Sequence, residues 1–276
     1  MKRILTVTGV LVLWTVPFCS AQQDPGFIGR WLDMVTATQN EQPRWVTPLV
    51  TITPRLEQEL RFDTLRQLPA TGGPLWTVDN GKGLEIIPEQ HVELLFNLPP
   101  YLFHNNPEVK DGWGDTTFLL KVRALSANEQ NGNYLLTFFL GGSVPTGTYK
   151  NGSAGAVITP YIAGGKGWGR FDFQSTLGAG LPVTNQNTIG HAIAWNTAFQ
   201  YHIRRFLWPE VETNSTFYKG GSNDGKKQLF LSPGLVVGRI PIHHRVGLTL
   251  GAGAQIAATH FHTFNHALVL TARLPF

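Results

Sequence analysis

The sequence predicts an all-β protein, an antiparallel transmembrane up-and-down β-barrel of about 12 strands, with about 10 or 14 strands as alternatives. Two features of the composition point this way. Only 14% of the residues are charged, and the 276 residues include 30 glycines, 17 phenylalanines and 8 tryptophans. The third observation is an alternation of apolar with polar or small residues, which is typical of strands that face lipid on one side and a lumen on the other.

The first residues have the layout of a secretory signal peptide. Lys2 and Arg3 precede an apolar run, and Cys19-Ser20-Ala21 forms a small-residue cleavage site. The run is shorter than the roughly 20 residues that a transmembrane helix needs. Cleavage after Ala21 removes the only cysteine, so the mature chain has no disulfide and no thiol ligand. We predict three segments: a signal peptide over residues 1–21, an N-terminal periplasmic arm or plug over 22–47, and an outer-membrane β-barrel over 48–276.

The alternation is clear in two segments. In residues 245–256 the even positions are apolar, as at Leu250, and the odd positions are polar or small, as at Thr249. In residues 50–63 every odd position from 51 onwards is threonine or a charged residue. Asp79-Asn80-Gly81 is a tight-turn signal that we place within an outer loop; as a true hairpin it would give about 14 strands. Strands are predicted near residues 50–63, 84–88, 90–97, 115–125, 133–143, 156–163, 168–182, 188–204, 208–218, 227–239, 245–257 and 265–276.

The end of the chain predicts the compartment. Residues 266–276 place apolar side chains at every second position up to a terminal Phe276. A terminal aromatic residue on such a strand resembles the signal that the outer-membrane assembly machinery reads. Together with the signal peptide, it predicts the outer membrane of a Gram-negative-type bacterium, with outer-membrane lipid and the assembly machinery as partners. No Lys/Arg cluster indicates nucleic-acid binding, and the sequence sets no oligomeric state.

Four sequence motifs carry a family resemblance. Residues 112–115 read Gly-Trp-Gly-Asp and lead into Phe-Leu-Leu-Lys-Val-Arg at 118–123. Val-Pro-Thr-Gly follows at 144–147, and residues 165–174 read Gly-Lys-Gly-Trp-Gly-Arg-Phe-Asp-Phe-Gln. Over roughly residues 50–276 the chain resembles the MetA-pathway of phenol degradation family of outer-membrane transporters. The resemblance implies a channel or transporter for small hydrophobic or aromatic compounds, and it supplies no catalytic residues.

The predicted strands turn many charged residues toward the lumen. These charges can pair across neighbouring strands and fill the lumen, or they can line a polar conduit and set its selectivity. Apart from the stripe at 55–63 they are mostly basic, so we expect a lumen with a positive field. The predicted lumen charges are Arg55, Glu57, Glu59, Arg61, Asp63, Glu93, Asp115, Lys121, Arg123, Arg170, Asp172, Arg204, Arg245 and Arg273. Tyr101, Phe103 and His104, in a long outer loop over 98–114, are expected to contact a hydrophobic solute.

Other candidate chemistry is weaker. His260, His262 and His266 form a cluster, but no cysteine or nearby acid completes a metal site. The glycines at 164–169 surround a lysine, but a strand pattern follows them instead of the helix that a phosphate loop requires. His191 has no serine placed beside it, as a barrel hydrolase would need. We therefore predict no metal, no cofactor and no enzymatic activity.

Two functions remain open at this stage. The first is an outer-membrane channel or transporter for small hydrophobic or aromatic solutes. The second is a structural or adhesive outer-membrane barrel that has a plugged lumen and does not transport.

Overall fold

The computed structural model describes residues 26–70, 72–79 and 82–276. The predicted signal peptide and the Asn80-Gly81 turn therefore lie outside the described residues. Within the described ranges, no helix is both long enough and apolar enough to cross a membrane.

One helix precedes a sheet of fifteen strands. Helix α1 (Gly26–Asn40) is followed by an irregular segment up to residue 58, and a short helix α2 (Gln186–Ile189) and a 3₁₀ turn (Gly221–Asn223) lie in later loops. The strands are β1 (Glu59–Leu68), β2 (Leu75–Val78), β3 (Leu84–Glu89), β4 (Val92–Phe96), β5 (Tyr101–His104), β6 (Gly112–Trp113), β7 (Thr116–Ala127), β8 (Tyr134–Val144), β9 (Val157–Trp168), β10 (Phe171–Pro182), β11 (His191–Tyr201), β12 (Leu207–Lys219), β13 (Lys227–His243), β14 (Val246–Ala257) and β15 (His266–Pro275).

The sheet closes on itself as a barrel. β1 pairs with β15 over its whole length, from Glu59 opposite Pro275 to Leu68 opposite His266. From β7 to β15 each strand pairs with its chain neighbours, in antiparallel fashion. β2 and β3 occupy one position in the wall, and β4 and β5 occupy another. With the two-residue β6 set aside, the wall has 12 strands, which confirms the predicted fold.

The two ends of the barrel differ. We call the end that holds Glu59 and Pro275 the terminal end, and the opposite end the loop end. Connections at the terminal end are mostly short, at residues 169–170 and 244–245, for example. Connections at the loop end are longer, such as 145–156 and 258–265. This asymmetry is the one that membrane barrels show.

Alternation along the strands separates two environments. On β14, Leu250 points outward and is 45% exposed, whereas the neighbouring Thr249 points inward and is 3% exposed. The same pattern runs along β10 and β15. Large apolar side chains therefore cover the outside of the wall, where they need lipid, and polar side chains fill the inside.

The first strand begins later than the sequence predicts. The pattern at 50–63 predicted a strand throughout, but β1 starts only at Glu59. Pro48 and Pro54 lack the N–H groups that a ladder requires, so the earlier part cannot pair as a central strand. Leu56, predicted to face lipid, is instead fully buried with Val35 of α1.

An arginine in the middle of the outer face should destabilise the barrel more than one at its edge. We expect Leu250→Arg to lower the free energy of unfolding by about 2–4 kcal/mol, because a cation at the bilayer midplane loses its hydration. Ile242→Arg is the matched control, because Ile242 is also outward-facing but lies two residues from the terminal-end turn. It should cost about 0–1 kcal/mol. Denaturant titration in lipid vesicles measures both, and equal losses would contradict the assigned membrane depth.

Candidate functional site

The interior of the barrel holds a part of its own chain. Residues 41–58, which we call the lumen segment, enter at the terminal end below α1 and return there to begin β1. Most of the segment is buried, yet it pairs with no strand among the described residues. Its backbone donors and acceptors need other partners, because a buried polar group without one costs about 1–3 kcal/mol. Side chains of the wall provide them.

Two wall arginines bind the carbonyl groups near the middle of the lumen segment. Arg273 of β15 donates from Nη1 to the Thr47 carbonyl at 2.5 Å and from Nη2 to the Pro48 carbonyl at 2.8 Å. Arg61 of β1 donates from Nη2 to the Leu49 carbonyl at 2.9 Å. Arg61 is itself paired with Asp63 at 2.9 Å. The charged stripe of β1 therefore holds the lumen segment as well as its own ion pair.

Two wall glutamates hold the opposite side of the same turn. Glu212 of β12 accepts hydrogen bonds from the amides of Val50 at 2.8 Å and Thr51 at 2.5 Å. Glu210 accepts one from the amide of Leu49 at 2.9 Å. Neither glutamate is among the lumen residues predicted from the sequence. Their i, i+2 spacing within the predicted strand 208–218 was the signal that could have identified them.

A third group of contacts lies around Lys121 of β7. Its ammonium pairs with Glu93 at 2.8 Å and donates to the carbonyl of Arg55 at 3.2 Å. Glu93 in turn accepts the amide hydrogen of Glu57 at 2.5 Å. Glu85 of β3, which was also missed, lies 3.7 Å from the Lys121 ammonium. These residues bind the backbone of the lumen segment at residues 55 and 57 to the wall.

Within the lumen segment, Arg55 and Glu57 form an ion pair at 3.2 Å. Burial, followed by the nearby charge of Arg239, lowers the pKa of Arg55 to about 10. The guanidinium therefore stays charged at neutral pH but is less stabilised than in water. Burial alone would raise the pKa of Glu57, but the charges of Arg55 and Arg239 outweigh it and hold that pKa below its ordinary value.

The numbers of acidic and basic side chains inside the barrel differ from those expected. The buried basic residues are Arg55, Arg61, Lys121, Arg123 and Arg273. The buried acidic residues are Glu57, Glu59, Asp63, Glu85, Glu93, Asp172, Glu210 and Glu212. Among the described residues the interior thus holds more acidic than basic side chains, and the predicted excess of basic residues is not found there. The acidic residues of β3 and β12 account for the difference.

Four of the predicted lumen charges lie elsewhere. Arg170, Arg204 and Arg245 sit in turns at the terminal end and are exposed, because each lies just outside its strand. Asp115 lies between β6 and β7, where its carboxylate accepts the amide hydrogens of Gly147 and Ser153. The strand boundaries, which the sequence pattern fixed only to within a few residues, decide these placements.

The residues predicted to contact a solute in an outer loop lie in a strand instead. Tyr101, Phe103 and His104 form β5, so they belong to the wall and not to a loop. The rings of Tyr101 and Phe103 lie 4.7 Å apart, and Tyr101 contacts Trp113 edge-on at 4.9 Å. Phe103 and Trp113 are exposed on the outer surface, as in the aromatic belts of membrane proteins. His104 instead bonds Asn151 of a loop at 2.6 Å.

A cavity of about 220 Å³ remains between the lumen segment and the wall. It lies beside β4, β7, β8 and β9, where Gly141 leaves room next to Tyr161. Apolar lining comes from Ile52, Leu95 and Leu119, and charged lining from Lys121, Glu85 and Arg61 on the inner wall. The cavity thus combines an apolar surface with a few fixed polar groups, as small-molecule sites do.

The histidine cluster lies in the last loop-end connection and at the start of β15. Both ring nitrogens of His262 are within hydrogen-bond distance of protein atoms, 2.9 Å from the Thr259 carbonyl oxygen and 2.9 Å from Asn265 Oδ1. His260 and His266 complete the sequence cluster. Across the parts of the chain that the structure describes, no group of three or more His, Cys, Asp or Glu side chains is placed to hold a metal ion.

Comparisons with known proteins place the chain in a family. The family described as "Putative MetA-pathway of phenol degradation" matches residues 88–259. The chain belongs to this family. A search of curated proteins gives no match. Among solved structures, an outer membrane channel from Pseudomonas putida F1 is similar with a TM-score of 0.59 and 13% identity, covering 84% of this chain and 100% of that one. At this identity the likeness shows the fold, and the family match confirms the resemblance seen in the sequence motifs.

Removing the carboxylate of Glu212 should loosen the lumen segment while leaving the wall closed. Glu212→Ala leaves the buried amides of Val50 and Thr51 without an acceptor, at about 1–3 kcal/mol each. We expect faster hydrogen exchange at residues 49–52, measured by mass spectrometry, with little change along β12 and β13. The matched control is Asn214→Ala on the same strand face, because Asn214 bonds Ser232 and not the lumen segment. Similar exchange at residues 49–52 in both variants would contradict the assigned role.

Proposed function

We propose that the protein is an outer-membrane channel that passes small hydrophobic or aromatic solutes, with its terminal end in the periplasm. The cavity between the lumen segment and the wall is the observation that carries the proposal. The apolar outer surface of the barrel and the membership of the phenol-degradation family support it. The structural neighbour, described as an outer membrane channel, is consistent with it.

The size of the cavity fits a small aromatic molecule. An apolar cavity of about 150 Å³ in a protein core can bind benzene. The lumen cavity measures about 220 Å³, and Leu95, Leu119 and Tyr161 give it an apolar wall. Lys121 and Glu85 at its inner side can orient a polar substituent such as a hydroxyl group, since each has a charged atom near the cavity.

The lumen segment supplies the means of opening the channel. Wall strands are joined by continuous backbone ladders, whereas the segment is held mainly by side chains from several different strands. These contacts can break without disturbing a ladder. We therefore expect the segment to move while the wall stays closed, so that solutes cross the barrel past residues 41–58.

A structural or adhesive barrel without transport is the second candidate. The observation that favours it is the completeness of the contacts between the lumen segment and the wall, which fill much of the interior. Neither candidate requires catalysis, and we infer a non-enzymatic role.

Uptake of a labelled aromatic hydrocarbon by porin-deficient cells distinguishes the two candidates. Cells that express the protein should take up radiolabelled toluene faster than cells with an empty vector. Gly141→Val should remove most of this gain, because Gly141 borders the cavity and a Cβ there already lies 3.1 Å from the Tyr161 ring. Leu140→Val on the outward face of the same strand is the control and should leave uptake unchanged. If the correctly assembled wild-type protein gives no gain, the structural role is the correct one.

Assembly in the outer membrane should depend on the last residue. Phe276 follows β15, and its amide donates to the Gln58 carbonyl at 3.0 Å, which an aspartate could also do. We expect Phe276→Asp to abolish insertion because the assembly machinery loses the terminal aromatic ring, whereas Phe276→Tyr should insert normally. Membrane fractionation with heat-modifiable migration on gels gives the result. Normal insertion of the aspartate variant would argue against this signal.

A further inference from the structure

A second cavity, of about 280 Å³, lies at the terminal end of the barrel. It is bounded by the lumen segment, by the turn between β13 and β14, and by the end of β15. Its charged lining is strongly unbalanced, with four guanidinium groups and a single carboxylate. These groups belong to Arg44, Arg55, Arg239, Arg245 and Glu57.

Two of the arginines compete for the same partners. Arg239 donates from Nη2 to the carbonyl of Trp45 at 2.9 Å, and Arg55 donates from Nη1 to the same oxygen. Both also share Glu57, whose Oε1 lies 3.2 Å from Arg55 Nε and 3.9 Å from Arg239 Nη2. Two cations beside one carboxylate leave a net positive charge, and water screens it only in part because Arg55 and Glu57 are buried while Arg239 is exposed.

Donor groups in the cavity exceed the acceptors that the protein offers. Arg55 is 2% exposed, and its Nε has no hydrogen-bond partner despite the nearby Glu57. Over the described ranges, the guanidinium of Arg44 makes no hydrogen bond or ion pair. Among the described residues, the guanidinium of Arg245 reaches only the hydroxyl of Thr36, at 2.7 Å. Because a guanidinium carries five N–H donors, this lining can accept further oxygen atoms.

Other carboxylates lie near the cavity without lining it. Glu129 accepts the backbone amide hydrogen of Arg44, and the charges of Glu129 and Glu59 act on Arg55 more weakly than that of Glu57 does. Glu41 pairs with Arg123 at 2.8 Å. His244 also lines the cavity and adds a positive charge when it is protonated.

We propose that this cavity binds a small oxyanion, a carboxylate or phosphate group, at the terminal mouth of the barrel. Guanidinium groups match both ligands because two parallel N–H donors face two oxygen atoms. An oxyanion here would be bound by the otherwise unused donors of Arg44, Arg55 and Arg245 and would neutralise the excess charge. The site does not depend on transport, since it can fill whether or not solutes pass the lumen segment.

Calorimetric titration of the full mature protein tests the site. The protein is held in a non-ionic detergent and a chloride buffer free of oxyanions, and is titrated with inorganic phosphate and with acetate. Saturable binding of at least one of them is expected. Repeating the phosphate titration in nanodiscs with and without phosphatidylglycerol separates the two sources of the ligand: weaker phosphate binding with this lipid identifies a lipid headgroup in the cavity, and unchanged binding identifies a soluble anion.

Exposed arginines provide the matched variants. Arg44→Gln and Arg245→Gln should each weaken binding about tenfold or more, because charge-assisted hydrogen bonds contribute about 1.5–3 kcal/mol. Arg205→Gln removes the same charge from another terminal-end turn that does not line the cavity, and should leave the affinity unchanged. Heat-modifiable migration confirms that each variant is folded. The proposal is overturned if neither anion binds the folded wild-type protein, or if Arg205→Gln weakens binding as much as Arg44→Gln.

Discussion

Charged side chains buried inside a barrel must find partners, and here the backbone of one chain segment supplies many of them. The amides and carbonyls of residues 41–58 belong to no β-ladder. The inner wall has arginines, lysines and carboxylates that need hydrogen-bond acceptors and donors. Arg273 and Glu212, on strands three positions apart in the wall, bind carbonyls and amides within five residues of that segment. The wall side chains therefore satisfy the backbone groups of the segment, and those backbone groups satisfy the wall charges. Without these hydrogen bonds, both would be buried at a cost in desolvation free energy.

This reciprocal arrangement gives the two parts of the molecule different kinds of stability. The wall depends on a closed ladder between β1 and β15 and on apolar contact with lipid. The lumen segment depends on discrete polar contacts from β1, β7, β10, β12 and β15. The cavities lie where these contacts leave gaps between segment and wall. One gap is mainly apolar, beside Leu95 and Leu119, and the other is basic, beside Arg239, so different solutes suit the two.

The closed barrel and the orientation of its strands could be predicted from the sequence. Alternation with a period of two assigns each wall residue to one face, and it placed Leu250 outside and Arg61, Asp63, Lys121 and Arg273 inside, as the structure has them. Alternation does not show where a strand stops. The segment at 50–58 alternates like a strand, yet it lies in the lumen, while Arg170 and Arg245 lie just beyond strand ends, in turns.

The sequence by itself therefore determined the fold class, the approximate strand number and which face of most strands is polar, because these follow from local periodicity and from the need to match lipid. Only the tertiary structure decided which polar groups meet. The hydrogen bonds from the amides of residues 50 and 51 to Glu212 join parts of the chain more than 160 residues apart. Arg55 and Arg239 are close in space and have a similar separation along the chain. Such contacts depend on strand order, on register and on the path of a segment that follows no ladder, and none of these is encoded in a local pattern.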